Sequence, residues 1–257
     1  MNNKKHEDKR SFLLKAWEIF GDIFMLNVMF VVCSLPIVTI GASLCALYAV
    51  SMRMVNREDG AIVHSFLSEF KRNWKQGTIA WLIVMFAMVG IWGEIFYMAN
   101  FTGVMTKVYT VVVAMEIVAL ALILPFLFPL IARYENTLWN TIRNSFLLSV
   151  SNLGKWVKIF IAWFGPIVLS IAEPKVFFNT WYFWLIIAFG LIAYGTSHTL
   201  LRVFDRVGDV KEEDLQRLEK EQKEAQKKYK NISKRAMAHT DVNKKRAAES
   251  VKDNKDE

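Results

Sequence analysis

Few side chains in the apolar part of this chain could do chemistry, and the most demanding is Glu116. It stands about eight residues into an apolar run, hence about 12 Å deep in a bilayer, where an ionised carboxylate is costly. Such a group serves a cation or proton path, or it is structural, protonated or bonded to a buried Asn or Ser. His198 lies near the end of the last apolar run beside Arg202, a place that suits an interfacial polar residue as well as a proton relay. Asn27 can hydrogen-bond between helices. Pro36, Thr39, Gly41 and Ser43 interrupt the apolar stretch 27–48, NVMFVVCSLPIVTIGASLCALY. Proline removes a backbone donor, and in lipid the freed groups need side-chain or neighbouring-helix partners, for which Thr39 and Ser43 are the local candidates. A helix broken in this way is a structural bend or the lining of a path.

Enzymatic machinery is not visible. No nucleotide-binding glycine loop, no C-x-x-C or H-E-x-x-H spacing and no serine elbow occurs, and His6, His64, His198 and His239 are scattered. No catalytic residue, cofactor or metal ligand is assigned, and the expectation is a non-enzymatic protein. Cys33 and Cys45 both lie in the first apolar segment and read as small apolar fillers.

The elements that must position these residues are membrane helices. The composition is 54% hydrophobic despite a charged tail. The excess of 32 Lys and Arg over 24 Asp and Glu is read as loop charge and attraction to anionic lipid, not nucleic-acid binding. The pattern predicts an all-α polytopic bundle with about five spans at 23–50, 77–97, 108–131, 156–172 and 181–203. Residues 1–22 form an amphipathic lead through Phe12, Leu13, Ala16, Trp17 and Phe20, 23–204 the membrane domain, and 205–257 a cytoplasmic tail, part helix and part disorder. The 28 residues of 23–50 would make one tilted, kinked crossing of about 42 Å. Two interfacial helices follow the charge pattern: Ile62, Phe66, Phe70 and Trp74 in one, Trp139, Ile142, Phe146, Val150 and Leu153 in the other. Trp and Tyr crowd the boundaries as an aromatic belt.

The positive-inside rule puts 51–76, 132–155 and the tail in the cytoplasm. The N-terminus conflicts with it, because one crossing by 23–50 would leave Lys4, Lys5, Lys9 and Arg10 outside. A re-entrant hairpin bent at Pro36 removes that conflict. A weak internal repeat argues the other way. Ser65-Phe66-Leu67, Trp74 and Ala80-Trp81 are echoed by Ser145-Phe146-Leu147, Trp156 and Ala162-Trp163, each copy after a proline-interrupted segment, Pro36 in one and Pro125 and Pro129 in the other. That favours a first segment that crosses like the third. The N-terminal charges before an apolar run with no A-x-A-like site read as an uncleaved anchor. In the tail, Asp209 and Glu212 resemble a capping box. Leu215, Leu218, Gln222, Ala225, Tyr229, Ile232 and Ala236 keep a coiled-coil spacing through which two copies would pair, with a solitary solvated helix as the alternative.

Residues 27–53, with the core SLPIVTIGASLCALYAV, resemble the signature of the YesL family of bacterial integral membrane proteins, a domain of unknown function. Phe66 to Trp74 with Lys71, Arg72 and Asn73, the run PLIARYEN at 129–136, and 143–152 match further, over roughly residues 10–205. The resemblance implies a multi-pass protein of the bacterial plasma membrane that assists carbohydrate uptake, and it assigns no catalytic residue. The expected partners are the lipid bilayer and the permease subunits of a sugar ABC transporter, contacted through Phe66, Trp74 and Trp139. The alternative is a small transporter or channel using the broken first span and Glu116.

Overall fold

Pro36 and its neighbours decide how the chain begins its fold. The computed structural model describes residues 2–58, 60–98, 103–172 and 174–207, and these are helical or in short connections, with no strand among them. The chain separates into a unit of residues 1–203 and a second unit from Phe204, of which only 204–207 are described. The tail beyond, with its expected seam at Leu215 to Ala236, lies outside the described residues.

Helix α1 (Asn2–Ser34) stops just before proline, because the residue preceding a proline is driven out of the helical region. Leu35 and Pro36 form the bend, and a 3₁₀ turn, Ile37–Thr39, leads into α2 (Ile40–Val55). The Thr39 hydroxyl donates to the carbonyls of Cys33 and Pro36 at 2.6 and 2.7 Å, covering acceptors that the break exposes. The backbone of Ile23 lies against Gly190, while the Tyr48 side chain lies beside that of Thr196. Those two positions are six residues, about 9 Å, apart on one helix, whereas a continuous helix would separate 23 from 48 by about 37 Å. The first segment is therefore a hairpin of two helices and not a single kinked crossing of 23–50. Its return brings the basic N-terminal end of α1 and the Arg53 end of α2 to the same end of the bundle, which removes the charge conflict.

Helix α3 (Ile62–Met98) joins the expected interfacial helix and the expected span 77–97 in one rod. It runs antiparallel to α2: the Trp81 indole donates to the Ile37 carbonyl at 2.8 Å, Gly41 meets Gly77, and Arg53 pairs with Glu69. Helix α4 (Val104–Arg133) returns beside it, then α5 (Leu138–Ser151) and α6 (Leu153–Ala172). Proline at 125 leaves the carbonyl four residues earlier without its helical donor. That carbonyl, of Ala121, accepts from the Trp156 indole at 3.0 Å, and the next one, of Leu122, accepts from Ser149. Helix α7 (Pro174–Phe183), a π turn (Trp184–Ala188) and α8 (residues 189–207) complete the described chain.

Helix α2 is the centre of the bundle, with Ala42 through Met52 almost wholly enclosed. The far halves of α3 and α4 are the reverse, exposing Phe86, Val89, Trp92, Val108, Val111 and Met115. Five helical stretches are long and apolar enough to cross a membrane: Ala16–Ser34, Ile37–Val55, Ile62–Met98, Val104–Arg133 and Trp181–Val207. The sequence also yields about five, but not the same five. The first segment supplies two, and the expected span 156–172 is helical within α6 without being among them.

Candidate functional site

The basic end of the bundle holds its most concentrated charge. Glu69 is only 2% exposed, although it is a carboxylate, because α3 turns it inward between Phe66 and Asn73. Burying a charge is tolerated where it is paired and hydrogen-bonded. Arg53 from α2 and Arg72, one turn along α3 at 2.5 Å, hold its two oxygens. Asn73 donates to the Glu69 carbonyl at 3.0 Å and leans on the carboxylate at 3.4 Å. Arg72 also donates to the Ala132 carbonyl at 2.9 Å, near the end of α4. One carboxylate thus ties together α2, α3 and α4. Beside it a crevice of about 480 Å³ runs between Arg72, Gln76, Arg133 and Tyr134, with Gln76 donating to the Asn136 carbonyl at 2.8 Å.

The aromatic stripe Ile62, Phe66, Phe70, Trp74 does not mark Glu69, whereas the buried stripe is Phe66, Glu69, Asn73, Gly77, Ala80, Val84. The 3-4 spacing of this second set, with glycine and alanine in it, was the available signal.

The residues singled out from sequence do not converge on one site. Asn27 is fully buried and spans two helices: it donates to the Leu185 carbonyl at 2.7 Å and accepts from the Gly190 amide at 3.0 Å. The π turn breaks the regular bonding there, and one side chain satisfies both ends of it. Asn27→Ala strands a buried donor and acceptor, and we expect a loss of about 2 kcal/mol, read as a lower unfolding temperature of the purified protein. Pro36 and Thr39 form the bend, Gly41 is sealed against Gly77, and the Ser43 hydroxyl is buried without a hydrogen-bond partner. Glu116 is half-buried on α4 and makes no hydrogen bond or ion pair among the described residues. His198 is exposed, edge-on to Tyr194 at 5.4 Å. Phe66 is fully enclosed, stacked on Phe70, so it presents no surface to a partner, whereas Trp74 and Trp139 are exposed. No cluster of three or more His, Cys, Asp or Glu suited to a metal occurs among the described residues.

The repeat has a three-dimensional counterpart. Displacing the chain by 80 residues superposes Leu44 on Leu124, Leu47 on Leu127, Tyr48 on Phe128, Arg53 on Arg133, Asn56 on Asn136 and Ser65-Phe66-Leu67 on Ser145-Phe146-Leu147, and beyond these a displacement of 82 superposes Trp74 on Trp156 and Ala80-Trp81 on Ala162-Trp163. The ring contacts are reciprocal across the two copies: Trp81 meets Phe128 with centroids 6.3 Å apart, and Trp163 meets Tyr48 at 6.0 Å. Between these pairs lies an apolar cavity of about 240 Å³.

No curated protein and no solved structure matches the chain. The family model described as "Protein of unknown function, DUF624" matches residues 23–94, from the second half of α1 through most of α3, and so contains the whole Arg53–Glu69–Arg72 clamp. Residues 23–94 are thus similar to the DUF624, or YesL, family, in agreement with the resemblance of the sequence, in a chain with five helical stretches long and apolar enough to cross a membrane.

Proposed function

We propose that the protein is a non-enzymatic accessory or assembly subunit of a carbohydrate ABC transport system in the bacterial plasma membrane, with its basic end in the cytoplasm. The family resemblance supplies the class of partner. The observation that carries the reading is the outer face of α5, where Trp139 (75% exposed), Phe146, Leu147 and Val150 form an apolar row that nothing among the described residues covers. A row of this kind at a basic, loop-rich end suits a partner's helix. Tagged full-length protein purified from native membranes is expected to bring sugar-permease subunits with it. Trp139→Glu is expected to reduce that recovery about tenfold, the effect of removing one aromatic anchor. Recovery of the protein alone would overturn the reading.

The hairpin supports a topology in which both termini lie on the cytoplasmic side. Reporter fusions at residues 2 and 257 are expected to give the same cytoplasmic signal, and opposite signals would contradict it.

One observation favours a second reading, a small transporter: Glu116 sits half-buried in an apolar helix without a partner. Against it, the close packing of Gly41 on Gly77 supports a structural use of the broken segment. Ion or sugar flux in liposomes that falls with Glu116→Gln would favour the transporter.

A further inference from the structure

The apolar cavity between the two copies has a composition that specifies its contents. Its walls come from both repeats, Leu44, Tyr48, Trp81 and Val84 from one and Phe128 and Phe164 from the other, and its rim includes the exposed Met88 and Ile167. Those rim residues belong to helices whose outer faces are apolar and exposed, so the medium at the opening is hydrocarbon. Water does not settle in an apolar space with so few partners. A sugar would leave its hydroxyls unsatisfied there. One polar group is notable: the Trp163 indole N–H is buried beside the Tyr48 side chain and makes no hydrogen bond of good geometry. Its counterpart Trp81 uses the Ile37 carbonyl beside the Pro36 break, but in the second copy residue 117 lies inside the unbroken α4, where its carbonyl bonds within the helix.

A second feature lies on the same helix. Trp74, Trp81 and Met88 are seven residues apart and so share one stripe of α3. At the basic end of that stripe Lys71, Arg72, Trp74 and Lys75 line an open groove of about 410 Å³. Trp beside Lys is the pairing that sits at a headgroup level. From Lys75, the cavity residues Trp81 to Met88 begin about 9 Å and end about 20 Å along the helix. That interval overlaps the roughly 15 Å of hydrocarbon in one leaflet.

We propose that this protein holds one anionic phospholipid as an integral ligand, its phosphate in the Lys71–Trp74–Lys75 groove and an acyl chain in the cavity between the repeats. The lipid completes a core that the two copies leave unfilled, and it is independent of the sugar-transport reading.

The test uses full-length protein in vesicles containing a trace of phosphatidylglycerol with a photoreactive chain end, followed by mass-spectrometric mapping of the adducts. Labelling is expected to concentrate on Trp81, Val84 and Met88 and on 163–167 over the exposed Phe86 face and the exposed stretch at Val111. Lys71→Gln with Lys75→Gln, both exposed and outside the core, are expected to reduce cavity labelling, each lysine being worth about fivefold near an anionic headgroup. Val84→Trp, which fills the cavity, is expected to abolish it, and Ile167→Trp at the rim gives the same test should the first variant fail to fold. Labelling spread evenly over the lipid-facing surface, or unchanged in the lysine variant and the rim variant, overturns the proposal. Equal labelling by phosphatidylcholine carrying the same chain overturns it too.

Discussion

Replacing Arg53 and Arg72 together by alanine is expected to lower the unfolding temperature by about 10 °C. Glu69 is 2% exposed, while the two guanidinium side chains are 40% and 49% exposed. Taking away both cations leaves a buried carboxylate without either of its ion-pair partners, a defect worth about 3–5 kcal/mol, and each kcal/mol moves the midpoint by about 2–4 °C in a chain of this size. The reverse change is milder. Glu69→Leu leaves arginines whose heads water can reach, and its expected cost is about 1–2 kcal/mol. Adding Glu69→Leu to the double alanine variant should therefore recover most of the lost stability, a non-additivity that marks one coupled cluster. Tryptophan fluorescence during heating in detergent reads all three. An unchanged midpoint for the double variant would mean that the carboxylate does not depend on its arginines.

Gly41→Ala is expected to have an effect at least as large. A Cβ at Gly41 would press into the Gly77 carbonyl and lie 2.5 Å from the Cβ of Trp81. Backbone on one side and a packed aromatic on the other cannot yield, so α2 and α3 must move apart. Overpacking of an enclosed contact costs about 1–3 kcal/mol and more where backbone is displaced, so we expect about 3 kcal/mol or failure to accumulate in the membrane. Gly77→Ala meets Ala42 backbone at 2.9 Å and should follow closely. The controls lie on the same helix: Gly90 and Gly93 have nothing within 4 Å of a built Cβ, and alanine there should be neutral or stabilising by up to about 1 kcal/mol. Equal behaviour of Gly41→Ala and Gly90→Ala, measured as folded yield and melting temperature, would show that the close approach is not required.

These two sites have a common consequence for function. The Arg53–Glu69–Arg72 clamp and the Gly41–Gly77 contact stand about 18 Å apart along α2, the rise of 12 residues. They fasten its two ends to α3. That holds α2 against α3 over its length, while the α5 face at Trp139 and the groove at Trp74 stay exposed.

The sequence by itself determined the membrane character, the all-helical class, the position of the break at Pro36 and the similarity of residues 23–94 to a known family, because each rests on composition, local backbone chemistry or a contiguous motif. A missing N–H acts on its own residue and its near neighbours, so it is visible without a fold. The tertiary structure alone decided that 23–50 is a hairpin, since the direction taken after a break depends on what the returning helix packs against, here α3 and α4. It also decided that Glu69 faces inward while Trp74 faces outward. By size and hydropathy the choice is the opposite, but two arginines, one of them 16 residues away in the chain, make the carboxylate burial affordable. Asn27 illustrates the same limit. Its polarity marks it in the sequence as a residue in need of partners, yet its partners at Leu185 and Gly190 are about 160 residues distant, brought into reach only by the packing of α1 on the last helix.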